Sequence, residues 1–171
     1  MGMIEKKYLN LFFALFLFPS HVFCAPLGGE VVSGQATIGN PNSLTTEITQ
    51  TTNSAIINWN QFSSAQNEAI RFVQPDVNSV MLNRVTGVDP SILLGSLSAN
   101  GQIFLVNPNG VFFGAHSQVN VAGLFVSTLS MSNDDFLSGK ISLSQDATRP
   151  LSGIVNQGQI AVAEGGNLVM V

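Results

Sequence analysis

The sequence predicts an all-β protein wound as a parallel β-helix, and three observations carry that prediction. From Ala25 onward the chain is poor in charge and rich in Asn, Ser, Thr, Gln, Gly and Val. Apolar residues recur at an eight-residue interval in same-phase pairs: Ile103, Val111 and Val119, with Leu105, Phe113 and Val121 two positions later in each case. Side chains two apart on a strand face the same way, so each pair presents one apolar edge. Between the pairs stand turn formers, most clearly Asn107-Pro108-Asn109-Gly110. Proline presets φ at the second turn position, asparagine suits the third and glycine accepts a positive φ at the exit. Short strands with one apolar face and regular corners describe a coil around a single interior. An antiparallel sandwich also spaces strands by about 8–12 residues and is the competing architecture. The persistence of phase across corners favours the coil.

The first element is not part of that coil. Lys6 and Lys7 precede the apolar run from Leu9 to Phe18, and Pro19, Ser20 and His21 follow it. This is the order of a secretory signal peptide, residues 1–24, with an apolar stretch shorter than the roughly 20 residues of a spanning helix. Cleavage fits best after Cys24, since Val22 and Cys24 are small and Pro26 disfavours a cut after Ala25. A lipid-anchored Cys24 is the rival reading, opposed by bulky Phe23 before it. The remaining chain, 25–171, holds four cationic residues (Arg71, Arg84, Lys140, Arg149) against nine acidic ones, and no cysteine. Disulfides are thereby excluded, and so is the basic footprint that nucleic-acid binding needs. Its length suffices for one domain with a core.

Along this domain, Asn40-Pro41-Asn42 reads as a turn, and Asn60 to Val73 is the one segment with a helical period, ending at Gln74-Pro75. Gly101 to Gly123 reads as one complete rung of three strands. Gly101-Gln102-Ile103 recurs as Gly158-Gln159-Ile160, which reads as the start of an equivalent rung, with Ile160/Leu168 and Val162/Met170 as its inward pairs.

Few residues invite chemistry. Asp134-Asp135 is the only adjacent acidic pair, but neighbours on a strand point to opposite faces, and a glycosidase needs two carboxylates opposed across roughly 5–9 Å. A solvated turn is the better reading. His116 is the only histidine after His21 and lacks the partners of a triad or a zinc site. Trp59, among Ile56, Ile57 and Phe62, reads as core or cap packing, with carbohydrate stacking as the alternative. Asn58 and Asn60 flank it, placed either to satisfy buried backbone or to form an asparagine ladder across rungs. No cofactor or metal is expected.

Four blocks in order, Ala55 to Phe62 (AIINWNQF), Asn67 to Pro75 (NEAIRFVQP), Val80 to Gly87 (VMLNRVTG) and Gly95 to Gly114 (GSLSANGQIFLVNPNGVFFG), resemble the N-terminal secretion domain of two-partner secretion exoproteins of the filamentous haemagglutinin and high-molecular-weight adhesin type. The resemblance covers residues 28 to 171. It implies a right-handed, single-stranded, pectin-lyase-like parallel β-helix with an N-terminal cap. It implies no enzyme activity, but a domain that addresses an exoprotein to a partner outer-membrane β-barrel transporter through that transporter's periplasmic domains, and that starts folding outside the cell. The alternative is a surface adhesion module binding host glycans or proteins. The secretion signature falls on Asn107, Pro108, Asn109 and Gly110, and a secondary block on Asn58, Trp59, Asn60, Phe62, Asn83 and Arg84.

Two departures from the family pattern stand out. Relatives often carry an Asn-Pro-Asn-Leu motif after the Asn-Trp-Asn block, whereas here Asn40-Pro41-Asn42-Ser43 precedes it. The chain therefore resembles the branch without that motif. It also stops in mid-strand at Asn167 to Val171, which reads as a truncated solenoid.

Overall fold

The computed structural model describes residues 25–145, 147 and 150–171; the expected signal peptide, residues 1–24, and Arg149 lie outside the described residues. Strands β1 (Glu30–Ser33), β2 (Ala36–Asn42), β3 (Thr45–Gln50) and β4 (Ser54–Trp59) form the N-terminal end. There follow β5 (Ala69–Val73), β6 (Val80–Val85), β7 (Ser91–Leu93), β8 (Ser96–Ala99), β9 (Gln102–Val106), β10 (Val111–Phe113), β11 (Gln118–Val121) and β12 (Gly123–Ser127). An excursion then carries β13 (Ser130–Met131), helix α1 (Asn133–Leu137) and β14 (Leu143–Ser144), before β15 (Ile154–Asn156), β16 (Gln159–Val162) and β17 (Leu168–Met170).

These strands wind as a parallel β-helix. One sheet has the order β1-β4-β6-β9-β12-β17, a second β16-β11-β8-β5-β3-β2, and a third, smaller one β15-β10-β7. Each full turn visits all three sheets, and β6-β7-β8, β9-β10-β11 and β12-β15-β16 are successive turns. The rung from Gly101 to Gly123 is present: Gln102 lies beside Val80 on one side and Gly123 on the other, and Ala122 N donates to Gly101 O at 3.0 Å. The N-terminal cap is antiparallel, β1 on β4 and β2 on β3, which covers the first coil without offering a parallel edge. Asn40 to Asn42 end β2 at the hairpin of this cap, where Asn42 Oδ1 accepts from Leu44 N at 2.9 Å. A turn it is.

The interior follows the sequence phase. Ile103, Leu105, Val111, Phe113, Val119 and Val121 all face inward and are buried. Each such side chain contributes about 1.5–3 kcal/mol relative to exposure, so stacking, not local propensity, holds the rungs. Ile160, Val162 and Met170 pack on the same interior, while Leu168 is 47% exposed on the last turn.

Three more sequence expectations need correction. The segment from Asn60 to Val73 is a buried corner followed by β5, not a helix. Ile70 and Phe72 point inward with Arg71 outward, a period of two that a short window does not separate from a helical one. Gly158-Gln159-Ile160 does not repeat Gly101-Gln102-Ile103: Gln102 opens β9 in the first sheet, whereas Gln159 opens β16 in the second and pairs with Gln118. Corners into different sheets share a residue vocabulary, so a tripeptide match does not fix the phase around the coil. Asp134-Asp135 lies not in a plain turn but in the first turn of α1, where Ser132 caps Asp135 N at 3.1 Å and Asp135 also pairs with Lys140.

Unusually for a solenoid face, the outside of the first sheet is also apolar. Ile56, Leu82, Val106 and Phe125 are buried there beneath Met131 and Phe136 of the excursion. Phe104 stacks on Phe125 at 4.9 Å and meets Phe136 edge-on at 5.3 Å. The excursion also explains why β11 to β16 takes a longer path than β8 to β11.

Candidate functional site

Both sets of residues singled out in the sequence meet on one corner column, where chain leaves the first sheet for the third. Trp59, Val85 and Val106 end β4, β6 and β9, so Asn60, Gly87 and the Asn107 to Gly110 turn are successive corners of that column.

The signature turn is closed by its own backbone, with Gly110 N donating to Asn107 O at 3.1 Å and Gly110 at φ +109°. L side chains rarely adopt that φ, which accounts for the glycine. Asn107 is fully buried. Its Oδ1 accepts from Asn109 N at 2.9 Å, the expected local side-chain-to-backbone bond. Its Nδ2, however, reaches back one turn to Asp89 O (3.1 Å) and Ser91 Oγ (3.0 Å). Asn109 Nδ2 likewise donates to Gly87 O at 2.9 Å. Forward, Asn107 N donates to Ser127 O, and Val111 N to Gly153 O. The corner is therefore a staple between consecutive turns as well as a bend. Its partners Gly87, Asp89 and Ser91 were not singled out in the sequence. The signal was there, since Gly87-Val88-Asp89-Pro90 has turn chemistry one coil earlier.

The secondary block supports the same column from below. Trp59 is buried, edge-on to Phe62 at 5.5 Å, and its Nε1 donates to Asn83 Oδ1 at 3.0 Å inside the coil. Carbohydrate stacking on Trp59 is thereby closed off. Trp59 O accepts from Thr86 N at 2.8 Å and from Thr86 Oγ1 at 3.1 Å. Gly87 sits so close above Asn60 that an added Cβ would fall 2.0 Å from Asn60 O. Asn58 and Asn60 form no asparagine ladder: Asn60 is exposed, and Asn58 Oδ1 accepts from Arg84 Nη1 at 3.1 Å on the outer face. Arg84 Nη2 donates to Met131 O at 2.8 Å, tying the excursion to β6. Desolvation lowers the pKa of this guanidinium from its ordinary value.

The arrangement offers hydrogen-bonded closure of successive turns. His116 is exposed, and no group of three or more His, Cys, Asp or Glu gathers to hold a metal among the described residues. No described helix is long and apolar enough to cross a membrane.

Parts of known proteins are similar to this chain. The sequence is 46% identical over 106 residues to a heme/hemopexin-binding protein of Haemophilus influenzae, a match covering 60% of this chain and 11% of that protein. A second heme/hemopexin-binding protein of Haemophilus influenzae is 37% identical over 103 residues, with the same two coverages. The matches thus span about a tenth of the length of these relatives. The crystal structure of the HMW1 secretion domain from Haemophilus influenzae superposes with a TM-score of 0.82 at 38% identity, covering 85% of this chain and 39% of that one. The family described as the TPS secretion domain matches residues 25–171. The chain belongs to the TPS secretion domain family.

Proposed function

We propose that this domain addresses a secreted exoprotein to a cognate outer-membrane β-barrel transporter and then nucleates the exoprotein's folding outside the cell. The family match supports the address. The observation that carries the nucleating part is the corner column, in which Asn107 joins the turns on either side of it. While unfolded, the chain would offer strand segments to the transporter's periplasmic domains by β-strand addition. After passage, closure of each corner would bring the next apolar row into the interior, and the burial would oppose return. In this reading the domain has no catalytic role: Asp135 is engaged in the α1 cap and with Lys140. The names of the curated relatives point to an exoprotein that binds heme or hemopexin as the class of cargo.

The test is export of a reporter joined after Val171, in cells with and without the partner transporter. Export should require the transporter, and Asn107→Ala and Asn109→Ala should reduce it in proportion to the stability they remove. Asparagine variants that melt normally yet export nothing would show instead that the turn is read by the transporter. A second reading, adhesion to glycans, is favoured by the outer face of the second sheet, where Ser96, Ser98, Gln118, Asn120 and Gln159 are exposed in register. Glycan binding by the purified protein, with export independent of the transporter, would replace the first reading with the second.

A further inference from the structure

Two corners of the coil share a dipeptide that is chemically labile in water. Asn100-Gly101 leads into β9, Asn109-Gly110 ends the signature turn, and no other asparagine of the chain precedes glycine. In an unfolded chain the glycine nitrogen is unobstructed, because there is no Cβ beside it. It gives up its proton to hydroxide and attacks the asparagine Cγ. A five-membered succinimide forms, the bond from Cγ to Nδ2 breaks and ammonia leaves. Water then opens the ring at either carbonyl, giving aspartate or isoaspartate. The step is a substitution followed by hydrolysis and needs no oxidant or reductant.

The fold restrains both reacting groups at both places. In the signature turn Gly110 N donates to Asn107 O at 3.1 Å, and the Asn109 carboxamide donates to Gly87 O at 2.9 Å and to Asn107 Oδ1 at 3.0 Å. At the other corner Gly101 N donates to Gln74 Oε1 at 3.1 Å. The Asn100 carboxamide is gripped from both ends there, accepting from Gln74 N and donating to Gln74 O, each at 2.7 Å. Ring closure would have to break the hold on the nucleophile and on the electrophile together. Gln74 and Gly87 belong to the preceding turn, so the whole hold at Asn100-Gly101, and the Asn109 bond to Gly87 O, exist only once two turns have stacked; the bonds to Asn107 are local to the signature turn.

We propose that Asn109-Gly110 and Asn100-Gly101 are deamidation sites of the unfolded chain which stacking of the turns switches off. The product at position 109 would then obstruct the corner. A carboxylate there has no N–H for Gly87 O and sets its charge against that carbonyl. Isoaspartate would add a backbone carbon to a turn that already needs φ +109° at Gly110. A chain that waits unfolded therefore loses its ability to fold. That this limits the time available for export rests on the proposed function; the chemistry does not.

The test incubates the full chain at mildly alkaline pH, folded in buffer and unfolded in guanidinium chloride, and locates aspartate and isoaspartate by fragmentation mass spectrometry and enzymatic methylation. Asn120 and Asn58, followed by Val121 and Trp59, are internal controls. Unfolded chain should convert at Asn100 and Asn109 well ahead of the controls, and folded chain at least about tenfold more slowly, the reaction then waiting on local opening. Equal rates in the two states, or no preference over the controls when unfolded, would overturn the proposal. Asn109→Asp checks the consequence: it should refold from denaturant with a lower midpoint than the parent chain. Export assayed separately distinguishes failure of this chemistry from failure of the export reading.

Discussion

The Trp59 indole Nε1 donates to the Asn83 carboxamide oxygen at 3.0 Å inside the coil, with both side chains shut off from water. This is a polar bond between neighbouring turns within an otherwise apolar interior. Asn83 Nδ2 lies 3.4 Å from Phe104 O, so the one amide links three consecutive strands of the first sheet.

Breaking that bond from one side should therefore be worse than removing it whole. Trp59→Phe leaves Asn83 Oδ1 without its donor, a cost of about 1–3 kcal/mol. Asn83→Leu strands the indole N–H and should cost a similar amount. The double variant removes both polar groups, so the two losses should not add, and the coupling should reach about 1 kcal/mol. Urea midpoints of the four chains measure it. Strict additivity would mean that the bond contributes nothing.

Phase around the rung gives a sharper contrast. Phe113 is fully buried in the interior, and Phe112, its neighbour, faces outward and is partly covered. Phe113→Asp should cost about 3–5 kcal/mol, as other stranded buried charges do. Phe112→Asp should cost under about 1 kcal/mol. Comparable losses in urea melts would contradict the strand phase.

The same phase shows what was legible in the sequence. Ile103 to Val121 could be placed inward because spacing by two and by eight is a direct consequence of strand and coil geometry. Asn107 could be read as a turn residue, but not as the donor to Asp89 and Ser91, because bonds between turns depend on how the coil closes rather than on local pattern. Arg84 belonged to a recognisable block, yet its partner, the Met131 carbonyl, lies in an excursion with no period of its own. Asp134 and Asp135 of α1 look like a plain turn in the sequence for a related reason. A helix this short has no apolar stripe, and only Phe136 ties it to the sheet.

That excursion should open as a unit. Phe136→Ala removes its anchor over Phe104 and Phe125, and Arg84→Met keeps the stem while losing the bonds to Met131 O and Asn58 Oδ1. Either change should raise hydrogen exchange at β13, α1 and β14 while the interior rows keep their protection. Loss of protection throughout β6, β9 and β12 would show that the excursion is integral to the coil.

The signature corner yields a graded series. Pro108→Ala gives up only the preset φ, about 0.4–1 kcal/mol through a freer unfolded chain. Asn109→Ala loses the bond to Gly87 O, about 0.5–1.5 kcal/mol. Gly110→Val forces a β-branched residue to φ +109° and sets its Cβ 3.2 Å from Gly153 O, for about 1–2 kcal/mol or more. Asn107→Ala should rival it, because a buried amide bonding Asp89 O, Ser91 Oγ and Asn109 N disappears at once. Asn107→Asp separates the roles of the two ends of that amide. The carboxylate keeps the acceptor for Asn109 N but faces Asp89 O with negative charge in place of an N–H, at a fully buried position. It should be more destabilising than alanine, the reverse of what a simple local turn would give, since aspartate is itself a good turn former. Urea midpoints at neutral pH decide the order. An aspartate variant as stable as the parent chain would show that the link to the preceding turn carries no weight, and that the corner is only a bend.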